Sequence, residues 1–161
     1  MADGTVMFEI TDKHLNTGLR GFPVGTVRTS RVDPNDGVSY VGHPVKDLAH
    51  LDPEAGIYLL YNKVLPNEGQ LAEFKADLAS RGNIDPRVLE LIKQLRREGH
   101  PMEWLIAGIT YLGMTGKTGD CYQDGLNLVA RSGELIAGIF RLRSGWGDPI
   151  ESDPSLGLVE N

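Results

Sequence analysis

The 161-residue chain is 40% hydrophobic and 24% charged, with a formal net charge of −6, the balance of a soluble globular domain long enough to bury a sizeable core. The acidic pI near 5.2 leaves no basic stripe to displace counterions from a phosphate backbone, which excludes nucleic acid as a partner but not a small anion held by one or two arginines. A single cysteine, Cys121, excludes an internal disulfide and a cysteine-rich metal site, and points to a reducing interior, the cytoplasm by default.

In chain order, residues 5–10 and 26–29 carry β-branched side chains and read as short extended pieces. Asp33-Pro34-Asn35-Asp36-Gly37 is turn chemistry, with proline presetting φ and glycine suited to φ > 0, so a small hairpin is expected over 32–41. After Gly42 the period lengthens to about 3.6 residues. Short helices are expected at 44–49 and at 53–62, the latter with Asp52 as N-cap. An amphipathic helix over 67–81 places Leu71, Phe74 and Leu78 on one side, with Gly82 as a C′ stop. Asp85 caps a helix over 86–98 whose stripe is Val88, Leu89, Ile92 and Leu95.

The last two helices differ in kind. Residues 101–114 are apolar around the whole cylinder, as expected of a helix buried on more than one side. Residues 120–143 would span about 35 Å. Gly125, Gly133 and Gly138 lie inside that helix, where each costs roughly 1 kcal/mol against alanine, so close approach by another helix is expected there. Residues 147–161 read as an irregular tail. The opening residues lack a signal-peptide pattern, and 104–114 is too short and too interrupted to cross a membrane.

Few motifs carry chemistry. Gly116-Lys117-Thr118 resembles the end of a phosphate loop, but Tyr111 stands where the first glycine belongs and a helix precedes it, so a helix–helix turn is expected. His14, His43, His50 and His100 have no ligand spacing, and no metal site is expected. His100, before Pro101, reads as support for a helix start. No nucleophile elbow is present. Arg20, Arg28 and Arg31, near Gly18, Gly21 and Gly25, form a basic cluster suited either to a phosphate-bearing ligand or simply to solvent.

The run Gly18-Leu19-Arg20-Gly21, then Val32-Asp33-Pro34, Gly37-Val38-Ser39-Tyr40 and Gly42, resembles the opening of citrate synthases. Ile57-Tyr58-Leu59-Leu60 with Leu65-Pro66, and Gly99-His100-Pro101-Met102 followed by Ile109-Thr110 and Leu112-Gly113, continue it in family order to about Trp146. His43 departs from the pattern, standing where an aromatic is usual, as do Gly56 and Gly138 inside helices.

The resemblance implies a mainly α chain, a helical large-domain segment of citrate synthase type with a small β-hairpin near its amino terminus. Residues 1–146 would form the amino-terminal helical part, and 147–161 a tail leading to a carboxyl-terminal half, on this chain's continuation or encoded separately. The implied reaction joins acetyl-CoA and oxaloacetate to give citrate and CoA. The CoA thioester is then a substrate, and no cofactor or metal is implied. The family's catalytic histidines and aspartate have no matching position here, so no catalytic residue is assigned and the chain alone is expected to be inactive. Arg20 matches an arginine lying near the 3′-phosphate of CoA. Lys117 lies in the segment from which a basic residue reaches the neighbouring subunit's CoA. The helices over 101–114 and 120–143 would form a homodimer interface. Related condensing enzymes, 2-methylcitrate synthase among them, fit the same residues, as does a non-catalytic assembly module.

Overall fold

Side-chain oxygens and prolines set where the helices begin. In the computed structural model, which describes residues 4, 6, 8–18, 20–23, 25–150, 152, 153 and 155–160, Asn67 accepts from the Gln70 amide at 2.9 Å and opens α3 (Glu68–Arg81). Asp85 accepts from the Arg87 amide at 2.9 Å and opens α4 (Pro86–Lys93). His100 Nδ1 accepts from the Met102 amide and opens α5 (Pro101–Gly116), as its place before proline suggested. Asp120 accepts from the Tyr122 amide at 2.8 Å and opens α6 (Cys121–Ser144). Each bond satisfies one of the amides that the first helical turn leaves unpaired. Asp52 stands at the N-cap of α2 (Pro53–Asn62), yet its carboxylate accepts from Lys75 Nζ at 2.6 Å instead. The short α1 (Val45–Leu48) follows Pro44.

The hairpin forms where expected, from β1 (Ser30–Asp33) and β2 (Gly37–Tyr40), with Val32 opposite Val38. Asp33 Oδ1 closes the turn by accepting from the Asn35 and Asp36 amides, and Gly37 takes φ +81°. A third strand, β3 (His43–Pro44), extends the antiparallel sheet in the order β1-β2-β3. The extended pieces are not strands among the described residues: 26–29 stays irregular, as do the described members of 5–10, whereas Thr5 and Met7 lie outside the description.

Three boundaries correct the sequence reading. Helix α4 ends at Lys93 rather than 98. The Trp104 indole donates to the Arg96 carbonyl at 3.1 Å, and the Gly99 amide donates to the same oxygen at 3.2 Å, which folds 94–99 into turns. Gly82 sits at φ −64°, so it does not supply a left-handed cap. A Cβ there would lie 3.4 Å from the Ala79 carbonyl, and closeness is the constraint instead. Among its described residues the tail has no regular structure, as expected, yet is not loose. Pro149 packs where Gly138 lacks a side chain, and Leu158 packs on a core, its amide donating to Glu54 Oε1 at 2.7 Å.

Helix α6 serves two cores. Leu126 and Ala130 join Phe74 and Leu78 of α3, whereas Leu135 and Ile139 join Ile84, Val88, Ile92, Trp104 and Leu112 from α4, α5 and the approach to α4. Burying each large apolar side chain contributes about 1.5–3 kcal/mol. The suspected close approaches at glycine are real but are made by side chains and tail. A Cβ on Gly125 would lie 2.6 Å from the Tyr61 hydroxyl, and one on Gly138 3.2 Å from Pro149. Arg143 closes the far end of the α5–α6 pair, donating to the Gly99 carbonyl at 2.6 Å with its guanidinium 5.2 Å above the Trp104 ring. Among the described residues no helix is long and apolar enough to cross a membrane.

Val41 is held in a strained conformation. Val41 and Gly42 join paired residues Tyr40 and His43, with φ +50° and +86°. Positive φ at both positions gives the turn whose twist suits two antiparallel strands, and it favours Asn-Gly. A β-branched residue resists that region. Val41→Asn is therefore expected to stabilise the chain by about 1 kcal/mol, read as a higher urea midpoint at unchanged slope. A lower midpoint would show that the half-buried valine side chain outweighs its backbone strain.

Candidate functional site

The two basic residues singled out from the sequence lie in different loops, each held by its own local bonds. Arg20 stands between Gly18 at φ +59° and Gly21 at φ +85°. Leu19 lies outside the described residues. The Arg20 amide donates to the Thr17 carbonyl at 3.2 Å, and its exposed guanidinium has no partner among the described residues. Arg31 does not share that freedom, since its guanidinium pairs with Asp33 two residues along β1 at 3.0 Å.

Lys117 stands at the C-cap of α5, exposed at the start of the turn into α6. No phosphate loop forms there. Asp124 ties the turn down, accepting from the Thr118 amide and hydroxyl at 2.7 Å each and from the Gly119 amide at 3.3 Å. The Thr118 hydroxyl, its amide and the Gly119 amide hold the Asp124 carboxyl below the usual carboxylate range, helped by Lys117. Beside Lys117 is an open groove of about 220 Å³, with Ile109, Leu112 and Leu128 as its floor and Asn127 and Arg131 on its rim. Arg131 Nε donates to the Arg81 carbonyl at 3.1 Å, and its Nη1 occupies the space beside Gly116, 2.8 Å from where a Cβ would stand.

No hydrogen bond, ion pair or ring contact among the described residues joins the Arg20 loop to the Lys117 turn. Arg131, Asn127 and Asp124 escaped the sequence reading. The only early signal was an arginine interrupting the apolar stripe of α6 between Leu128 and Leu135. Chemically the two loops offer cations to a phosphate or carboxylate. Glu54, the buried charged residue among those described, accepts the Leu158 amide and serves the tail.

A different feature runs along α5 and α6. Met102, Ile106 and Ile109 on α5 and Leu128, Ile136 and Phe140 on α6 all keep at least 37% of their surface exposed, with Ile106 at 62% and Phe140 at 59%. The spacing of 102, 106 and 109 puts the first three on one face of α5.

A mainly helical domain with a small amino-terminal sheet, two loops that each expose a cation, and a long apolar face defines the class. The family model described as Citrate synthase, C-terminal domain, matches residues 18–161. Citrate synthase 2 of Bacillus subtilis is 32% identical over 155 residues, which cover 90% of this chain and 41% of that protein. 2-Methylcitrate synthase 2 of Corynebacterium glutamicum is 30% identical, covering 96% of this chain and 42% of that protein. Among solved structures, citrate synthase of the thermophilic archaeon Thermoplasma acidophilum, in ternary complex with carboxymethyl coenzyme A and oxaloacetate, superposes with a TM-score of 0.76 at 20% identity, covering 85% of this chain and 39% of that one. The chain belongs to the citrate synthase family, and it spans less than half the length of these relatives.

The Asp124 geometry gives a pH dependence for the Lys117 turn. Its carboxyl is lowered in the folded state, so the stabilisation is present above the unfolded carboxylate value and is lost as pH falls through the lowered one. The protection of the Thr118 and Gly119 amides against exchange, relative to their intrinsic rates, should therefore fall on acidification below about pH 4. Asp124→Ala should produce the same loss of protection at neutral pH. Slow exchange in that variant would mean that backbone geometry alone holds the turn.

Proposed function

We propose that the chain is the amino-terminal segment of a citrate synthase, the enzyme that condenses acetyl-CoA with oxaloacetate to citrate and CoA. In this reading it supplies a dimer surface and part of the CoA site and lacks the catalytic acid and base. The carrying observation is the family match over 18–161 in a chain that spans 41% of the Bacillus subtilis relative. The order of motifs from Gly18 to Gly99-His100-Pro101-Met102 supports the amino-terminal position. Arg20, with its unpartnered guanidinium, and Lys117, exposed on its turn, are the residues offered to the phosphates of CoA. The CoA thioester is a substrate, and no metal or prosthetic group enters the reading. The acid- and acyl-selective residues lie outside the chain, so propionyl-CoA chemistry of the 2-methylcitrate type fits the same segment. A single exposed cysteine supports a cytoplasmic setting.

Activity measured with and without a family carboxyl-terminal half supplied in trans tests this. The chain alone should release no CoA from acetyl-CoA and oxaloacetate above a buffer blank, because acid–base contributions of about 10²–10⁴ each have no residue to supply them. With the other half present, release should appear. Arg20→Ala should then raise KM for acetyl-CoA about ten- to a hundred-fold, the range of a lost charge-assisted bond, and leave KM for oxaloacetate unchanged. Equal effects on both would make Arg20 structural. Stable association without turnover would favour a second reading, a non-catalytic assembly module, which the exposed face of α5 and α6 supports.

That face leads to a prediction on assembly. A soluble monomer seldom exposes an apolar patch beyond about 300–600 Å², and a two-fold dimer pairing α5 and α6 would cover it. Ile109→Asp or Ile136→Asp should dissociate the dimer and promote aggregation, since an unpaired charge buried in an apolar interface costs several kcal/mol. Sedimentation at micromolar concentration is the check. A well-behaved species of 17.6 kDa that binds no hydrophobic dye would overturn the assignment.

A further inference from the structure

Three aromatic rings lie outside both cores, in the segment that carries Arg20. Phe8 and Phe22 meet with centroids 5.0 Å apart, and the His14 ring completes a triangle at 5.0 Å from Phe8 and 5.3 Å from Phe22. The rings meet at tilted or near-perpendicular angles, the arrangement that puts a positive ring edge against a negative face. Phe22 lies fourteen positions after Phe8, so their contact closes residues 8–22 into a loop packed by its own side chains. His14 holds the interior twice more. Its Nδ1 accepts from the Thr11 amide at 2.9 Å, and its carbonyl accepts from the Thr17 amide and hydroxyl at 3.2 and 3.0 Å. The Thr17 carbonyl in turn accepts from the Arg20 amide. A continuous path of bonds therefore runs from the ring triangle to the backbone of Arg20.

We infer that Phe8, His14 and Phe22 are positioning residues that close the 8–22 loop and hold the Arg20 guanidinium ready for a phosphate. This rests on the reading that Arg20 meets a phosphate of CoA. The core needs none of these rings, since neither buried cluster includes them. What they do is remove freedom. A loop of this length, left open and flanking its arginine with two glycines, would have to be ordered when the anion binds, and that cost would weaken binding. Closed in advance by its own rings, the loop presents the free guanidinium with less ordering left to complete.

The full chain can be titrated calorimetrically with adenosine 3′,5′-bisphosphate and with adenosine 5′-phosphate, which differ only in the 3′-phosphate. The wild type should prefer the bisphosphate by about tenfold or more, and Arg20→Ala should abolish the preference. His14→Gln keeps an acceptor for the Thr11 amide but removes the ring. Phe22→Leu keeps apolar bulk but removes the ring. Each should cut the preference by about threefold or more, whereas His14→Phe, which restores the third ring, should recover most of it. Unchanged unfolding midpoints in all variants show that the cores are intact. If Arg20→Ala erases the preference while His14→Gln and Phe22→Leu retain it, the positioning role falls and the phosphate reading stands. If the wild type shows no preference, or Arg20→Ala keeps it, both fall.

Discussion

Everything in the helical body depends on α6 being apolar on two stretches at once. Leu126 and Ala130 draw it against α3, and Leu135 and Ile139, a little over two turns later, draw it against α4 and α5. Neither set of neighbours packs on the other through a shared core. The long helix is therefore the common wall of two small cores. Small residues keep that wall thin where other groups must pass. Tyr61 lies against Gly125 and Pro149 against Gly138, at distances a methyl group would not tolerate without movement. The cost of glycine within a helix is offset here by contacts that only glycine leaves room for.

The same helix explains why an apolar face is left over. Residues that reach the α3 core and those that reach the α4–α5 core occupy opposite sides of α6, and Leu128, Ile136 and Phe140 beside them keep at least 37% of their surface exposed. Helix α5 behaves alike, with Trp104, Gly108 and Leu112 inward and Met102, Ile106 and Ile109 outward. The outward set is as apolar as the inward one, and nothing within the described chain covers it. Dispersion and hydration favour covering such a surface. The pair of helices thus carries two apolar faces, one packed inside the chain and one left exposed.

Helix starts were legible from sequence because their chemistry is local. Asn67, Asp85, His100 and Asp120 sit within three residues of the amides they satisfy, and that spacing is visible in one dimension. The hairpin was legible for the same reason, through Asp33 and Gly37. What escaped was decided across the fold. The end of α4 depends on an indole eight residues away, and the turn at Lys117 depends on Asp124 in the next helix. The tail depends on Leu158 reaching a core built 80 residues earlier, at Phe74 and Leu78. Arg20 was legible through its flanking glycines. Its support was not, because two phenylalanines and a histidine spread over fifteen residues have no periodicity to mark them.

Both candidate anion-binding residues are thereby separated from the stability of the body. Lys117 is held by the carboxylate–amide bonds of Asp124, and Arg20 by a backbone path that ends in three rings. Neither loop is built on either core. Regions with few buried contacts open at a lower free energy than the global one, so each loop can lose its order while α3 to α6 stay folded. Conversely, a substitution that weakens the cores leaves the geometry of each loop intact until the whole chain unfolds. The binding groups of this segment are preorganised by short-range contacts, and its helices by long-range ones. On the proposed reading of Arg20, a phosphate there would compete only with the local opening of this loop.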